Sequence, residues 1–129
     1  MADIKWSFQA AVVGGPSLSL NAPAIKVEAY DVIQVAILDG ASGTAVSIQP
    51  SSSAKEMALV VISSDQYDAK LTYEVDSVGV ANKLDGPHVF VGSGAVAFLN
   101  TSQAPQSLSF SNSSGKPANV SILVGRNVS

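Results

Sequence analysis

Side chains that commonly carry out acid–base, nucleophilic or redox chemistry are scarce in this sequence. Among 129 residues there is one histidine, His88, and there is no cysteine. Nucleophilic catalysis needs a base beside the nucleophile, so the many serines have almost nothing to activate them. His88 follows the turn sequence Asp85-Gly86-Pro87 at the start of a predicted strand, which favours a structural role. We therefore expect that the protein is not an enzyme.

Metal and cofactor sites are not indicated either. Zinc and copper sites draw on several histidine or cysteine ligands, and this chain has a single residue of those types. No glycine-rich phosphate loop opens a predicted helix. We expect neither a cofactor nor a transition metal.

One loop combines carboxylates with an aromatic ring. Asp65, Tyr67 and Asp68 follow an apolar segment and are close together in the sequence. Carboxylate and loop carbonyl oxygens can hold Ca²⁺, and an exposed tyrosine ring can stack on a sugar. These three residues form the candidate ligand-binding site, for a carbohydrate or a loop Ca²⁺ ion. A solvated turn explains the same sequence.

The charge of the chain argues against a nucleic-acid partner. Ten acidic residues outnumber seven basic ones, which gives a formal net charge of −3, and the lysines are scattered. A protein that neutralises phosphates needs clustered Lys and Arg. Charged residues make up only 13% of the chain, whereas an ordinary domain has about 25%. Little charge repulsion therefore opposes self-association.

Alternation of apolar and polar residues is the dominant pattern, and it predicts β-strands separated by turns rich in Gly, Pro and Asn. About eight to ten short strands in one domain, residues 1–129, predict an all-β, antiparallel β-sandwich of jelly-roll-like form. A closed barrel is the alternative. The alternating segments are Ile4–Phe8, Leu18–Leu20, Ile25–Ala29, Val46–Ile48, Leu71–Val75, Leu108–Phe110 and Val120–Val124.

Three segments are apolar on both faces: Val32–Leu38, Met57–Ile62 and Ala95–Leu99. We predict that each is a strand, and that Gly92-Ser93-Gly94 forms a tight hairpin turn before the third. Such strands are either central strands covered on both sides or strands whose outer face meets another subunit. On the second interpretation the candidate interface residues are Val32, Ile33, Val35, Ile37, Leu59, Val61, Val96 and Leu99.

Arg126 is the only arginine and lies close to the last predicted strand. It is either a solvated tail residue or the partner of a carboxylate across a subunit boundary, where the planar guanidinium is favoured. We include Arg126 among the candidate interface residues on the second interpretation.

Neither a signal peptide nor a transmembrane segment is visible, because the longest apolar run, Met57–Ile62, is far too short to span a bilayer. The sequence does not indicate a compartment. The leading hypothesis is a non-catalytic structural protein whose copies self-associate into a homo-oligomer. In its most specific version, the hypothesis makes the protein a component of a phage-like particle. The alternative is a carbohydrate-binding β-sandwich module. We expect no nucleic-acid partner and no membrane insertion.

Overall fold

The described chain is mostly β-structure, which confirms the all-β prediction. The computed structural model describes residues 2–21, 23–48, 57–76 and 79–126. These residues form the strands β1 (Ala2–Ile4), β2 (Ser7–Ala11), β3 (Ser17–Asn21), β4 (Ile25–Val27), β5 (Ala29–Ile37), β6 (Thr44–Ser47), β7 (Met57–Ser64), β8 (Leu71–Val75), β9 (Asn82–Lys83), β10 (His88–Val91), β11 (Ser107–Asn112) and β12 (Ala118–Arg126), and one short helix, α1 (Ser93–Val96).

Strands β5 to β12 build two four-stranded antiparallel sheets that pack face to face. The first sheet has the order β10-β7-β12-β5, and the second has the order β6-β11-β8-β9. Alternating burial along β5 and β12 of the first sheet, and along β8 and β11 of the second, shows that each sheet turns one face inward. The predicted antiparallel β-sandwich is therefore confirmed.

The pairing of these eight strands follows one simple rule. β5 pairs with β12, β6 with β11, β7 with β10, and β8 with β9. The chain thus follows the path of a long antiparallel ribbon that folds back between β8 and β9. Successive pairs of the ribbon belong alternately to the two sheets, and the contacts of β12 with β7 and of β11 with β8 complete each sheet.

The hydrophobic core fills the space between the sheets. Tyr73 and Phe110 are its largest fully buried side chains, and their ring centroids are 5.7 Å apart. Both sheets contribute inward rows, as the alternation in the sequence predicts. The core also includes Ile37, Val46, Ile48, Met57, Val60, Ile62, Leu71, Val75, Leu84, Val96, Leu108, Ala118, Val120, Ile122 and Val124.

Residues 92–99 do not form the predicted hairpin and strand. Gly92 follows β10 with a φ of 93°, and the chain then forms α1 and further helical turns up to Leu99. Val96 is buried in the core, and Leu99 packs against it. The three-residue spacing of these two side chains places both on one side of a helical turn. The strand prediction was wrong because a short apolar run fits either element, and only the helical turn points both side chains at the core.

The apolar runs Val32–Leu38 and Met57–Ile62 belong to strands at different positions in the first sheet. β5 is one of the two edge strands of its sheet, and its inner residues Ile33 and Val35 pack against the core. Val32, on the other face, leaves 62% of its surface exposed. β7 is a central strand between β10 and β12, and its side chains are buried or half-buried along its whole length.

The N-terminal residues form one long, interrupted hairpin. β1 pairs with β4 near its base, and β2 pairs with β3 towards its tip. A Cβ atom added at Gly125 of β12 would lie 3.0 Å from both Ile4 Cδ1 and Val27 Cγ1. The base of the hairpin therefore packs closely on the outer face of the first sheet, at a position where only glycine leaves enough room.

We expect Gly125→Ala to destabilise the protein by about 1–3 kcal/mol, because the added methyl group must push Ile4 and Val27 off the sheet. Urea denaturation, monitored through tryptophan fluorescence, measures the change in the free energy of unfolding. Gly86→Ala is the matched control, since a Cβ there meets nothing within 4 Å, and we expect a change within about 0.5 kcal/mol. Equal stability of the two variants would show that the hairpin base does not pack on Gly125.

Candidate functional site

The outer face of the first sheet carries an apolar row that crosses all four strands. Val32 of β5 lies opposite Leu123 of β12, which lies opposite Val61 of β7, which lies opposite Val89 of β10. Val32 and Val89 expose 62% and 53% of their surface, and the two central side chains are half-buried. We call Val32, Leu123, Val61 and Val89 the apolar row.

The surroundings of the apolar row differ on its two sides. On one side Gly125 and Leu59 are covered by the hairpin base, while Tyr30 at the edge remains 57% exposed. On the other side the next residues across the sheet are Gln34, Ser121 and Ser63. The outer face thus changes from covered, to apolar and bare, to polar.

The tip half of the hairpin projects from the sandwich, and we call residues 7–21 the arm. Register places Phe8 opposite Leu20 and Ala10 opposite Leu18, so these four residues share one face. Phe8, Leu18 and Leu20 expose 50%, 54% and 45% of their surface. The other face carries Ser and Gln side chains. The arm is therefore amphipathic, and its apolar face meets water.

The connecting residues continue the arm to an apolar tip. The Val12 amide donates to the Pro16 carbonyl over 2.9 Å, and Gly14 takes a φ of 75°, which completes a tight turn. Val12 exposes 64% of its surface, and Val13 is fully exposed. The apolar face of the arm therefore extends to its end.

The predicted interface residues have several different positions. Val32 and Val61 belong to the apolar row, whereas Ile33, Val35 and Leu99 pack against the core. The other three aliphatic residues of the set, Ile37, Leu59 and Val96, are buried within the chain and present no surface to a partner.

Sequence reasoning did not single out Leu123, Val89 or the arm as surface. Phe8, Leu18 and Leu20 alternate with polar residues just as core-facing residues do. One available signal was charge, since no charged residue occurs between Lys5 and Lys26. A long uncharged hairpin with a Gly-Gly-Pro tip is unusual for a solvated segment.

Arg126 pairs within the chain rather than lying in a solvated tail. Its Nη1 atom is 2.6 Å from Oδ2 of Asp31 on the neighbouring strand β5, and Arg126 is buried. The carboxylate that it meets is therefore supplied by its own chain.

Asp65, Tyr67 and Asp68 all lie in the loop after β7, and each has its own intrachain partner. Asp65 accepts hydrogen bonds from the backbone amide and the side-chain amide of Asn119, which lower the pKa of its carboxyl. The Ser64 amide donates to the Tyr67 hydroxyl, and the Lys70 amide donates to Asp68 Oδ1. These bonds are those of a turn. Within the described ranges, no group of three or more His, Asp or Glu side chains is placed to hold a metal ion.

His88 lies on the inner side of the first sheet, where it contacts the second sheet. Its Nδ1 atom and the Tyr73 hydroxyl share a hydrogen bond of 2.7 Å, and the two rings meet edge to face. Burial raises the pKa of the Tyr73 hydroxyl to about 12. The pair gives a buried phenol a polar partner and links the two sheets.

No protein-family model matches the chain, and neither the comparison with curated proteins nor that with solved structures gives a match. No helix in the described part of the chain is long and apolar enough to cross a membrane.

The buried environment of Tyr73 generates a spectroscopic prediction. In the unfolded chain a tyrosine ionises near pH 10, whereas the pKa of Tyr73 in the folded protein is about 12. The stability that this difference contributes is complete below pH 10 and is lost as the pH rises through about 12. We expect the phenolate absorbance of wild type minus that of Tyr73→Phe to appear near pH 12, together with unfolding. A difference spectrum that titrates near pH 10 would contradict the buried position.

Proposed function

We propose that the protein is a non-catalytic structural protein whose copies self-associate into a homo-oligomer. The observation that carries this proposal is the arm, whose apolar face is bare in the single chain. A two-stranded hairpin is marginally stable in water on its own. Burial of its apolar face against another surface would stabilise the arm as an ordered hairpin.

The extent of exposed apolar surface supports the proposal. Phe8, Val12, Val13, Leu18 and Leu20 each expose 45% or more of their surface. With about 150–200 Å² for a fully exposed side chain of this size, the arm presents roughly 500 Å² of apolar surface. A patch of that size on one small protein is typical of an interaction site.

The connectivity of the sandwich supports a structural role of a particular kind. A ribbon of eight strands folded at its middle and wound into two sheets is the arrangement of a jelly roll, and we infer that this domain is one. Jelly rolls include viral capsid domains, which agrees with the hypothesis of a phage-like particle, and they also include lectins. Connectivity alone does not choose between these functions.

A second candidate function, carbohydrate binding, is favoured by a polar groove on the outer face. The groove has a volume of about 660 Å³ and lies beside Asp65, between the apolar row and the end of the sheet. Hydroxyl and amide groups suited to sugar hydroxyls line it, notably Gln34, Ser63, Asn119 and Ser121. The Asn119 amide is already used by Asp65, which leaves fewer free donors for a ligand.

We expect the wild-type protein to elute as a discrete oligomer whose mass, measured by light scattering after size exclusion, does not change on moderate dilution. The double variant Leu18→Ser/Leu20→Ser removes apolar surface from the arm and is expected to elute as a 13.2 kDa monomer. Electron microscopy of the wild-type oligomer then tests for a closed particle.

The matched control is Ser17→Ala/Ser19→Ala, which changes the polar face of the same strand and is expected to leave the oligomer intact. Circular dichroism of all three proteins verifies that the sandwich is folded. A monomeric wild-type protein with a folded spectrum would contradict the proposal.

For the second candidate, Gln34→Ala is compared with wild type on a glycan array. Carbohydrate binding in this groove predicts a bound glycan with wild type and at least a tenfold weaker signal with Gln34→Ala, about the effect of losing one buried polar contact. Absence of any bound glycan would leave self-association as the supported function.

A further inference from the structure

We infer that the arm of one copy packs across the apolar row of a second copy, and that the second copy returns the same contact. This inference rests on the proposed self-association and identifies the two surfaces that meet. The occupant of the apolar row is thus a defined segment, residues 7–21, of another chain with the same sequence.

The first support is the place where the arm begins. Ile4 and Val27, at the hairpin base, lie over Gly125 on the outer face of the first sheet. The apolar row is the adjacent set of residues on that same face, because Leu123 precedes Gly125 by two positions on β12. When two copies face each other through this surface, a two-fold axis carries each arm over the other copy's row.

The second support is the match in length between the two surfaces. The apolar row crosses four strands, which spans about 14 Å at the usual strand spacing. On the arm, Phe8, Ala10 and Val12 follow one another on one face over about 13 Å. An arm laid at right angles to the sheet strands therefore places these three side chains along the row, in the orthogonal manner of sheet packing.

The third support is the area that the contact would bury. The arm offers roughly 500 Å², and the apolar row with Tyr30 offers roughly 300 Å² at the exposures observed. Two reciprocal contacts bury up to about 1,600 Å², which is the usual size of a stable protein–protein interface. A single contact in one direction would bury only half of that.

The charges favour a second copy over a membrane as the occupant. The arm is uncharged throughout, and the apolar row is bordered by Gln34, Ser121 and Ser63. Two uncharged surfaces meet without desolvating an ion. Elements that bind membranes in the interfacial plane typically carry Lys and Arg on their polar face, whereas the polar face of the arm carries Ser and Gln.

The chain offers a direct test because it contains no cysteine. Ala10→Cys, at the middle of the arm, and Val61→Cys, at the middle of the apolar row, are made as separate chains of different length and mixed after dissociation and reassembly. A short bis-maleimide reagent then links thiols that lie close together. We expect a cross-linked heterodimer as the main product, and it can arise only between two chains.

The matched control replaces Ala10→Cys by Gln9→Cys, which lies next to it on the polar face of the same strand. We expect a several-fold lower yield of heterodimer with Val61→Cys. Light scattering on the same uncross-linked samples reports whether they are oligomeric.

Three other outcomes would contradict arm-to-row docking, and they differ in what they leave standing. An oligomer in which Gln9→Cys and Ala10→Cys cross-link to Val61→Cys equally well overturns arm-to-row docking and leaves self-association standing. A homodimer of Ala10→Cys as the main product shows that arms pair with one another and also overturns it. Monomers that give no cross-link overturn both proposals, and flotation of such monomers with phosphatidylcholine vesicles would identify a membrane as the occupant of the arm.

Discussion

Burial of one face of each sheet against the other is the interaction on which the rest of this structure depends. Tyr73 and Phe110 from the second sheet meet inward rows such as Val120 and Ile122 from the first. β12 is central to this arrangement because it pairs along its length with both β5 and β7. A two-layer sandwich has only one interior, so an apolar residue on an outer face stays exposed unless another element covers it.

The N-terminal hairpin supplies that cover for part of the outer face. Its base packs on Gly125 and buries Val27 and Leu59 completely or nearly so. The same hairpin then leaves the sheet, and the apolar row beside it stays open. The exposed arm and the exposed row are thus two results of one event, the departure of the hairpin from the surface. A second copy can satisfy both at once.

Two polar side chains, Asn112 and Asp76, form hydrogen bonds that hold loops in place. Asn112 is buried, donates to the carbonyls of Ile37 and Lys116, and accepts from Ser114. Asp76 takes a φ of 50° and accepts from the amides of Gln106 and Ser107. Such bonds satisfy polar groups that would be costly to bury alone. Asn112 and Asp76 therefore contribute to the precision of the fold by fixing the loops around them.

The sequence by itself determined the strand character, the sandwich class and the scarcity of reactive side chains, because these follow from local periodicity and composition. It did not determine what covers each apolar face. Val32 and Ile33 belong to one apolar run, yet one is exposed and the other packs on the core. Leu18 alternates like a core residue and faces water, and Val96 proved to be helical. Only the tertiary structure decided these points, because the covering residues come from distant parts of the chain. Periodicity records which side of a strand is apolar, but not what lies opposite it.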